Sequence, residues 1–350
     1  MKRFLLVSVF ILTTSLLNAY NPPVYGENFL ELSSPKLMTN GASSSGGGIF
    51  STGPDSLVVN PALTATDQRV VLNLAYTGLF SSQDASAKYG NAFQAGILIP
   101  FKWAVFSGYL NGTMLPFESM QLGNSINLKA GLSKEITEEL DIGLNLNTGM
   151  FWGYNFDWSL SANLGFLYKH GNLGFIKDFR YSASLLNLGK NYTKTSLNPI
   201  KKTEATGSFP GIATLKIGAA GLLFSNDLLK FGASLDLTFP TFLNVIIDMG
   251  LEFSVKDMLY ISVAEKFNVV ELAKGYKNLI PSVGVFFKFD FDVKNSEYLA
   301  KNGWEKSEMT TAVAYKNLYE SINAVSASVD VNLGMKDENP PEIIILVSDE

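Results

Sequence analysis

The residues best suited to chemistry are few. The chain of 350 residues has one histidine, His170, and no cysteine. A Ser–His hydrolase needs an imidazole beside its nucleophile. His170 falls in "KHGN", where the pattern predicts a solvated turn. Thiolate metal sites are excluded, and a histidine-rich site has nothing to build on. Asp236, Asp248, Glu252, Asp290 and Asp330 could pair for acid–base work. Lys129, Lys216, Lys230 and Lys288 alternate into the same polar faces, so salt bridges account for these carboxylates more simply. Gly46 to Gly48 lack the Gly-Lys-Ser/Thr ending of a phosphate loop. The expectation is a protein that is not an enzyme and carries no metal or cofactor.

The charged residues sit on elements of one kind. In "LKFGASLDLTF", Phe231, Ala233, Leu235, Leu237 and Phe239 alternate with Lys230, Gly232, Ser234, Asp236 and Thr238. Side chains of a strand alternate between faces, so one face is apolar and the other polar. The pattern recurs in "SINLKAGLS", "LDIGLNLNT", "WSLSANLGFLY", "NVIIDMGLEFSV", "SVGVFFKFDFD" and "AVSASVDVNLG". Further strands are expected near 69–81, 91–99, 103–111, 174–187, 211–224, 258–267 and 308–317, for about fourteen in all. That is an even number, as bacterial outer-membrane barrels have. Most segments are about 9–14 residues long, enough for a tilted strand to cross the hydrocarbon core. Charged residues are 17% of the chain, too few for a water-facing coat. The face opposite the apolar one is mostly Gly, Ser, Asn and Ala, as in a crowded lumen.

Connection lengths agree. One end receives short turns at "PFKW", "KEITEE", "KHGN", "SND" and "VKD". The other receives 82–90, 111–123, 188–210 and 268–279, with short links near 154 and 241. Short periplasmic turns and long outer loops mark outer-membrane barrels. The charged segment 292–307 is an exception on the short-turn side. The expected class is all-β, an antiparallel transmembrane β-barrel of about fourteen strands with an N-terminal hatch.

Lys2 and Arg3 precede an apolar run ending at Leu17-Asn18-Ala19, the layout of a secretory signal peptide. The expected division is signal peptide 1–19, hatch 20–66, barrel 67–335, and a periplasmic tail or the start of an extension at 336–350. Removing Lys2 and Arg3 takes the formal charge from −5 to −7. With no basic stripe, nucleic acid is not an expected partner. Trp103, Trp152, Trp158, Tyr168, Phe239 and Tyr260 near strand ends suit an interfacial girdle.

Residues 41–65, "GASSSGGGIFSTGPDSLVVNPALTA", are too rich in Gly and Ser for a strand. Ile49, Phe50, Leu57, Val58 and Val59 are too apolar for a free linker. "GPDSLVVNPALTA" resembles the Asn-Pro-Ala signature of the FadL-like long-chain fatty-acid transporter family, with Asn60, Pro61 and Ala62 just before the first strand. "SASLLNLGK", "FPGIATLKIGAA", "SLDLTFP" and "MGLEFSV" look like later blocks of its PorV-type branch and of a spirochaete outer-membrane family. The likeness spans about 41–335. It implies fourteen strands around a hatch, and transport of long-chain fatty acids or similar hydrophobic molecules with lateral exit. On that reading Phe50, Leu57, Val59 and Leu63 contact the ligand, Asn60 bonds backbone, and Pro61 fixes the entry to the first strand. Leu63 stands where the family pattern has Gly. The PorV-type branch implies instead a scaffold for secreted or periplasmic proteins, met through the C-terminal tail. The expected location is the outer membrane, with its lipid around the barrel.

Overall fold

A strand with one apolar and one polar face needs two unlike surroundings, and closing the sheet provides them. The computed structural model describes residues 27–40, 43–67, 69–81, 89–117, 124–152, 156–192, 213–273, 280–292, 306–318 and 322–334. Among these lie fourteen strands: β1 Val70–Ser81, β2 Tyr89–Pro100, β3 Val105–Met114, β4 Asn124–Glu135, β5 Leu140–Trp152, β6 Phe156–Leu173, β7 Ile176–Lys190, β8 Thr214–Ser225, β9 Leu229–Phe239, β10 Ile246–Val255, β11 Leu259–Asn268, β12 Ser282–Asp292, β13 Lys306–Leu318 and β14 Ile322–Leu333. Each pairs antiparallel with the next. β1 pairs with β14 from Val70↔Leu333 to Ser81↔Ile322, which closes the ring.

The burial pattern inverts that of a soluble sheet. On β5, Ile142, Leu144, Leu146 and Met150 are exposed, while Asp141, Asn145 and Asn147 are buried. On β1, Leu72, Leu74, Tyr76 and Phe80 point outward, and Asn73 and Thr77 point inward. Large apolar side chains thus coat the outside, as a lipid-facing surface requires. Trp103 and Trp158 are on this exposed surface near strand ends.

The lumen charges are only partly arranged as the alternation suggests. Lys216 pairs with Asp248 at 3.1 Å and Lys288 with Glu308 at 2.6 Å. Lys230 pairs with Asp257 of the β10–β11 turn at 2.7 Å. Lys129 is buried on β4, flanked in register by Tyr109 and Asn147.

Short connections at 101–104, 136–139, 226–228 and 256–258 share one end of the barrel with the start of β1 and the end of β14. The charged segment after β12 also belongs to that end, yet β12 and β13 form on either side of it. One turn differs from expectation. β6 continues through His170 to Leu173, and the chain reverses at Gly174–Phe175. His170 is exposed on this hairpin, 6.5 Å from the Tyr168 ring and 6.2 Å from Phe179. The segments 1–19 and 336–350 lie outside the described residues.

Two irregularities affect the upper wall, at the end carrying the longer loops. β7 carries a bulge opposite Ala162–Leu164, where Asn187 adopts φ 62°. β12 starts below the upper rim: it pairs with β11 only from Ala264↔Ser282 to Leu259↔Phe287, although β11 continues to Asn268. Pro281, which has no N–H to give a ladder, precedes the first residue of β12. β12 therefore pairs with neither β11 beyond Ala264 nor β13 beyond Tyr315.

Candidate functional site

The chain between Glu27 and Asp67 packs against the inward faces of the strands. Its sequence suits short helical turns. Pro35, Pro54 and Pro61 each occupy the first helical turn, where a missing N–H costs nothing. The turns Phe29–Ser33, Pro35–Thr39, Pro54–Val58 and Pro61–Thr66 are too short to stand alone and depend on the wall around them.

Contacts come from strands all around the ring. Ser33 Oγ lies 2.9 Å from Tyr109 Oη on β3, and Thr39 Oγ1 lies 2.8 Å from Ser262 Oγ on β11. Thr64 Oγ1 lies 2.7 Å from Ser133 Oγ on β4. Ser184 Oγ on β7 donates to the Val59 carbonyl at 2.7 Å. The Ser44 N–H donates to Asp236 on β9 at 2.8 Å, and the Ile49 N–H to Glu252 on β10 at 2.5 Å. Arg180 on β7 donates to the carbonyls of Ser45 and Gly47, at 3.2 and 2.8 Å.

Inward glycines let backbone meet backbone. A Cβ on Gly232 would sit 2.4 Å from the Gly48 carbonyl carbon, and one on Gly143 would sit 2.4 Å from that of Pro61. These contacts assign part of the small polar face: it leaves room for a second layer of chain.

Asn60 ties the layer together. Its Oδ1 accepts from the Ala62 N–H at 3.0 Å and caps the turn that Pro61 begins. Its Nδ2 donates to the Ser44 carbonyl at 2.8 Å and to the Phe166 carbonyl on β6 at 3.1 Å. Pro61 opens this capped turn, and β1 begins nine residues later at Val70. Ala62 is fully buried.

Leu57, Val59 and Leu63 are buried together with Leu30, Leu37, Val58, Ala62, Tyr109 and Leu167. Phe50 packs partly buried against them, with the Arg180 guanidinium 4.5 Å above its ring. A second apolar cluster joins Phe29, Leu32 and Met38 to Leu79, Leu115, Phe117, Phe151, Tyr192, Leu318 and Ile322 at the end of the barrel that carries the longer loops.

Beside these clusters, toward the same end, is a small cleft of about 20 Å³, room for about one water molecule. Its lining is mixed: Val58, Val59, Leu186 and Ile246 are apolar, Glu31, Lys216, Asp248 and Lys266 are charged, and Asn28, Asn187, Thr214 and Thr238 are polar. Lys266 lies 2.5 Å from Glu31 Oε2 and 3.6 Å from Asp248 Oδ1. Of the four residues expected to contact ligand, Val59 lines this cleft; Phe50, Leu57 and Leu63 pack within the adjoining cluster. Leu186 and Ile246 were passed over in the sequence. The doublet Leu185-Leu186 breaks the alternation of β7, and that break was the available signal. Nearby, burial lifts the Glu27 carboxyl above its ordinary range, while Lys266 and Lys316 oppose the shift. Among the described residues no group of three acidic or histidine side chains could hold a metal ion.

No family model and no curated protein matches the sequence. Solved structures do resemble the fold. The toluene transporter TbuX of Ralstonia pickettii superposes with a TM-score of 0.54 at 11% identity, over 87% of this chain and 98% of that one. A FadL homologue of Pseudomonas aeruginosa gives 0.51 at 10% identity, over 86% and 98%. The toluene transporter TodX of Pseudomonas putida gives 0.51 at 12% identity, over 87% and 98%. Identities this low speak to shape alone, and the shape is that of a FadL-type outer-membrane barrel.

Proposed function

We propose that this protein carries hydrophobic small molecules, of the long-chain fatty-acid class or similar in apolar bulk, across the outer membrane. The N-terminal segment acts as its hatch. The observation that carries this reading is that segment packed inside the barrel, with Leu57, Val59 and Leu63 buried in an apolar cluster in the lumen. A lumen filled with chain does not serve as an open aqueous pore, so a ligand needs a side exit or a displaced hatch. We assign the lateral exit to the upper part of the wall around β12, which pairs with neither β11 beyond Ala264 nor β13 beyond Tyr315. The toluene transporters of similar shape support the same class of cargo.

The test is binding and conductance together. Purified protein should bind alkyl chains with affinity that rises with length, by about 0.8 kcal/mol per buried CH₂, until the chain outgrows its site. It should conduct few ions in planar bilayers. Free conductance with no alkyl binding at any length would replace the transporter with a porin.

A second reading, a scaffold for secreted proteins, draws on the β6–β7 hairpin. Leu173 and Phe175 are exposed there, Phe175 at 78%, on the short-turn end. Capture of a stoichiometric protein partner that is lost when 169–179 is replaced by a tight turn would favour it.

A further inference from the structure

The β6–β7 hairpin outreaches its neighbour. β5 pairs with β6 only as far as Leu140↔Tyr168, and β6 runs on to Leu173. The β6–β7 ladder shifts register at Lys169/Gly171 and again at Gly171/Leu173, and the β7–β8 ladder shifts between Lys177 and Arg180. Gly171 has φ 81° and Asp178 φ 50°. Irregularities of this kind bend the strands that carry them. Here the bend leads outward. On β8, Lys216 and Ala220 are buried toward the lumen and Ile217 is exposed, so alternation sets Gly221 on the outer face. A Cβ on Gly221 would lie 2.7 Å from Ile176 Cγ2 and 3.3 Å from Phe179 Cα. The returning limb of the hairpin thus leans against the lipid-facing side of β8.

The outer face of the hairpin continues the lipid-facing surface. Phe166 is exposed on the outward row of β6, which runs on through Tyr168 to His170. β7 sets Tyr181 and Phe179 beside that row. Ring centroids lie 5.0 Å apart for Tyr168 and Tyr181, 6.2 Å for His170 and Phe179, and 6.3 Å for Phe179 and Tyr181. Rings with a polar edge suit the headgroup level of a bilayer. Beyond them the tip exposes Leu173 and Phe175. Its charges are mostly claimed: Lys169 pairs with Glu135 at 2.9 Å and Asp141 at 3.1 Å, and Arg180 pairs with Asp178. Exposed Lys177 faces no carboxylate among the described residues and donates only to the Ser225 carbonyl, at 3.3 Å. An apolar tip beside one unclaimed ammonium is complementary to a phospholipid, acyl chain to ring and phosphate to lysine.

We infer that the β6–β7 hairpin is a membrane anchor: it lies on the periplasmic leaflet, with Leu173 and Phe175 among the phospholipids and Lys177 at their phosphates. Its occupant is lipid, because its outer face is continuous with the surface that lipid already covers.

The chain has no cysteine, so Asn172→Cys carries a single nitroxide label at the tip with Leu173 and Phe175 intact. The full chain is placed in nanodiscs of phosphatidylethanolamine and phosphatidylglycerol, and collisions of the label with oxygen and with a water-soluble nickel chelate are compared. Leu146→Cys on the lipid-facing wall and Glu138→Cys in the exposed β4–β5 turn give the lipid and water references. Heat-dependent gel mobility selects variants that retain the barrel. The label at 172 should favour oxygen, as the one at 146 does. Adding Phe175→Ser should shift the inserted-to-free ratio of the tip toward water by at least about tenfold. A label at 172 as open to the chelate as that at 138 would overturn the inference. So would a lipid-like label that Phe175→Ser leaves unmoved. A tip that is wet in nanodiscs and immobilised only in native outer-membrane vesicles would identify a protein as the occupant, and the lipid anchor would be wrong.

Discussion

Asn60→Ala probes the seating of the hatch most sharply. The side chain makes three buried hydrogen bonds: to the Ala62 N–H at 3.0 Å, the Ser44 carbonyl at 2.8 Å and the Phe166 carbonyl at 3.1 Å. Each contributes roughly 1 kcal/mol net, so their loss destabilises the seated segment by about 3 kcal/mol. The Ala62 N–H, left without its acceptor, adds to this. Only the bond to Phe166 joins the segment to the wall directly; the other two hold its own shape, so part of the loss appears as local fraying. If all of it appears as displacement, 3 kcal/mol is a shift of about a hundredfold in the seated-to-displaced ratio. Single-channel recording in planar bilayers reads this as a rise in opening frequency, from tenfold to a hundredfold above the unsubstituted protein. Asn60→Asp should open more often still, because it sets an anionic oxygen against the two carbonyls that Nδ2 now serves. Gly165→Ala approaches the same joint from the wall, since a Cβ there would lie 2.0 Å from Asn60 Oδ1. If all three variants retain the closed-state frequency and the unfolding temperature of the parent, Asn60 does not hold the segment in place and the reasoning fails.

Other perturbations follow from the same geometry. Gly232→Ala and Gly143→Ala each place a methyl group 2.4 Å from hatch backbone, so both should lower the temperature of the heat-dependent gel shift, whereas Gly108→Ala, with a side-chain neighbour at 3.3 Å, should leave it nearly unchanged. Leu144 faces outward and is 46% exposed, so Leu144→Arg should destabilise the barrel in vesicles by about 2–4 kcal/mol, measured by guanidinium unfolding. Glu27 has its carboxyl lifted by burial, so the fold favours the protonated form. The stability this contributes is present below the unfolded value of about 4.3 and is lost as pH rises through the folded one. Glu27→Gln should therefore raise the unfolding temperature at pH 8 and change it little at pH 4.

The barrel was legible because lipid imposes its period on every strand. Leu140, Ile142, Leu144 and Leu146 announce β5 without help from the rest of the chain. The pattern fades where that demand ends. Past Tyr168 β6 no longer pairs with β5, although β7 stays paired with β8 to Lys177, so no alternation marks the stretch of β6 that carries His170. The cleft was much less legible. Ile49, Phe50, Leu57, Val58 and Val59 stand out in the sequence as too apolar for a free linker, and Leu57, Val58 and Val59 are buried. Whether they face a ligand or one another depends on packing, and Leu57 and Leu63 face one another's cluster. The cleft itself draws Glu31, Leu186, Lys216, Ile246 and Lys266 from five separate elements. No spacing in the sequence links them, and the pairing of Lys266 with Glu31 joins residues 235 positions apart.

The central claim is that the filled barrel passes hydrophobic molecules and excludes hydrophilic ones. Its most direct test is uptake by bacterial cells whose outer membrane carries this protein, compared with the same cells lacking it. A radiolabelled ten-carbon alcohol and a radiolabelled hexose are supplied in parallel, each with a compound-specific trap inside the cell. The account predicts faster uptake of the alcohol and unchanged uptake of the hexose. Faster hexose uptake with no gain for the alcohol would contradict it.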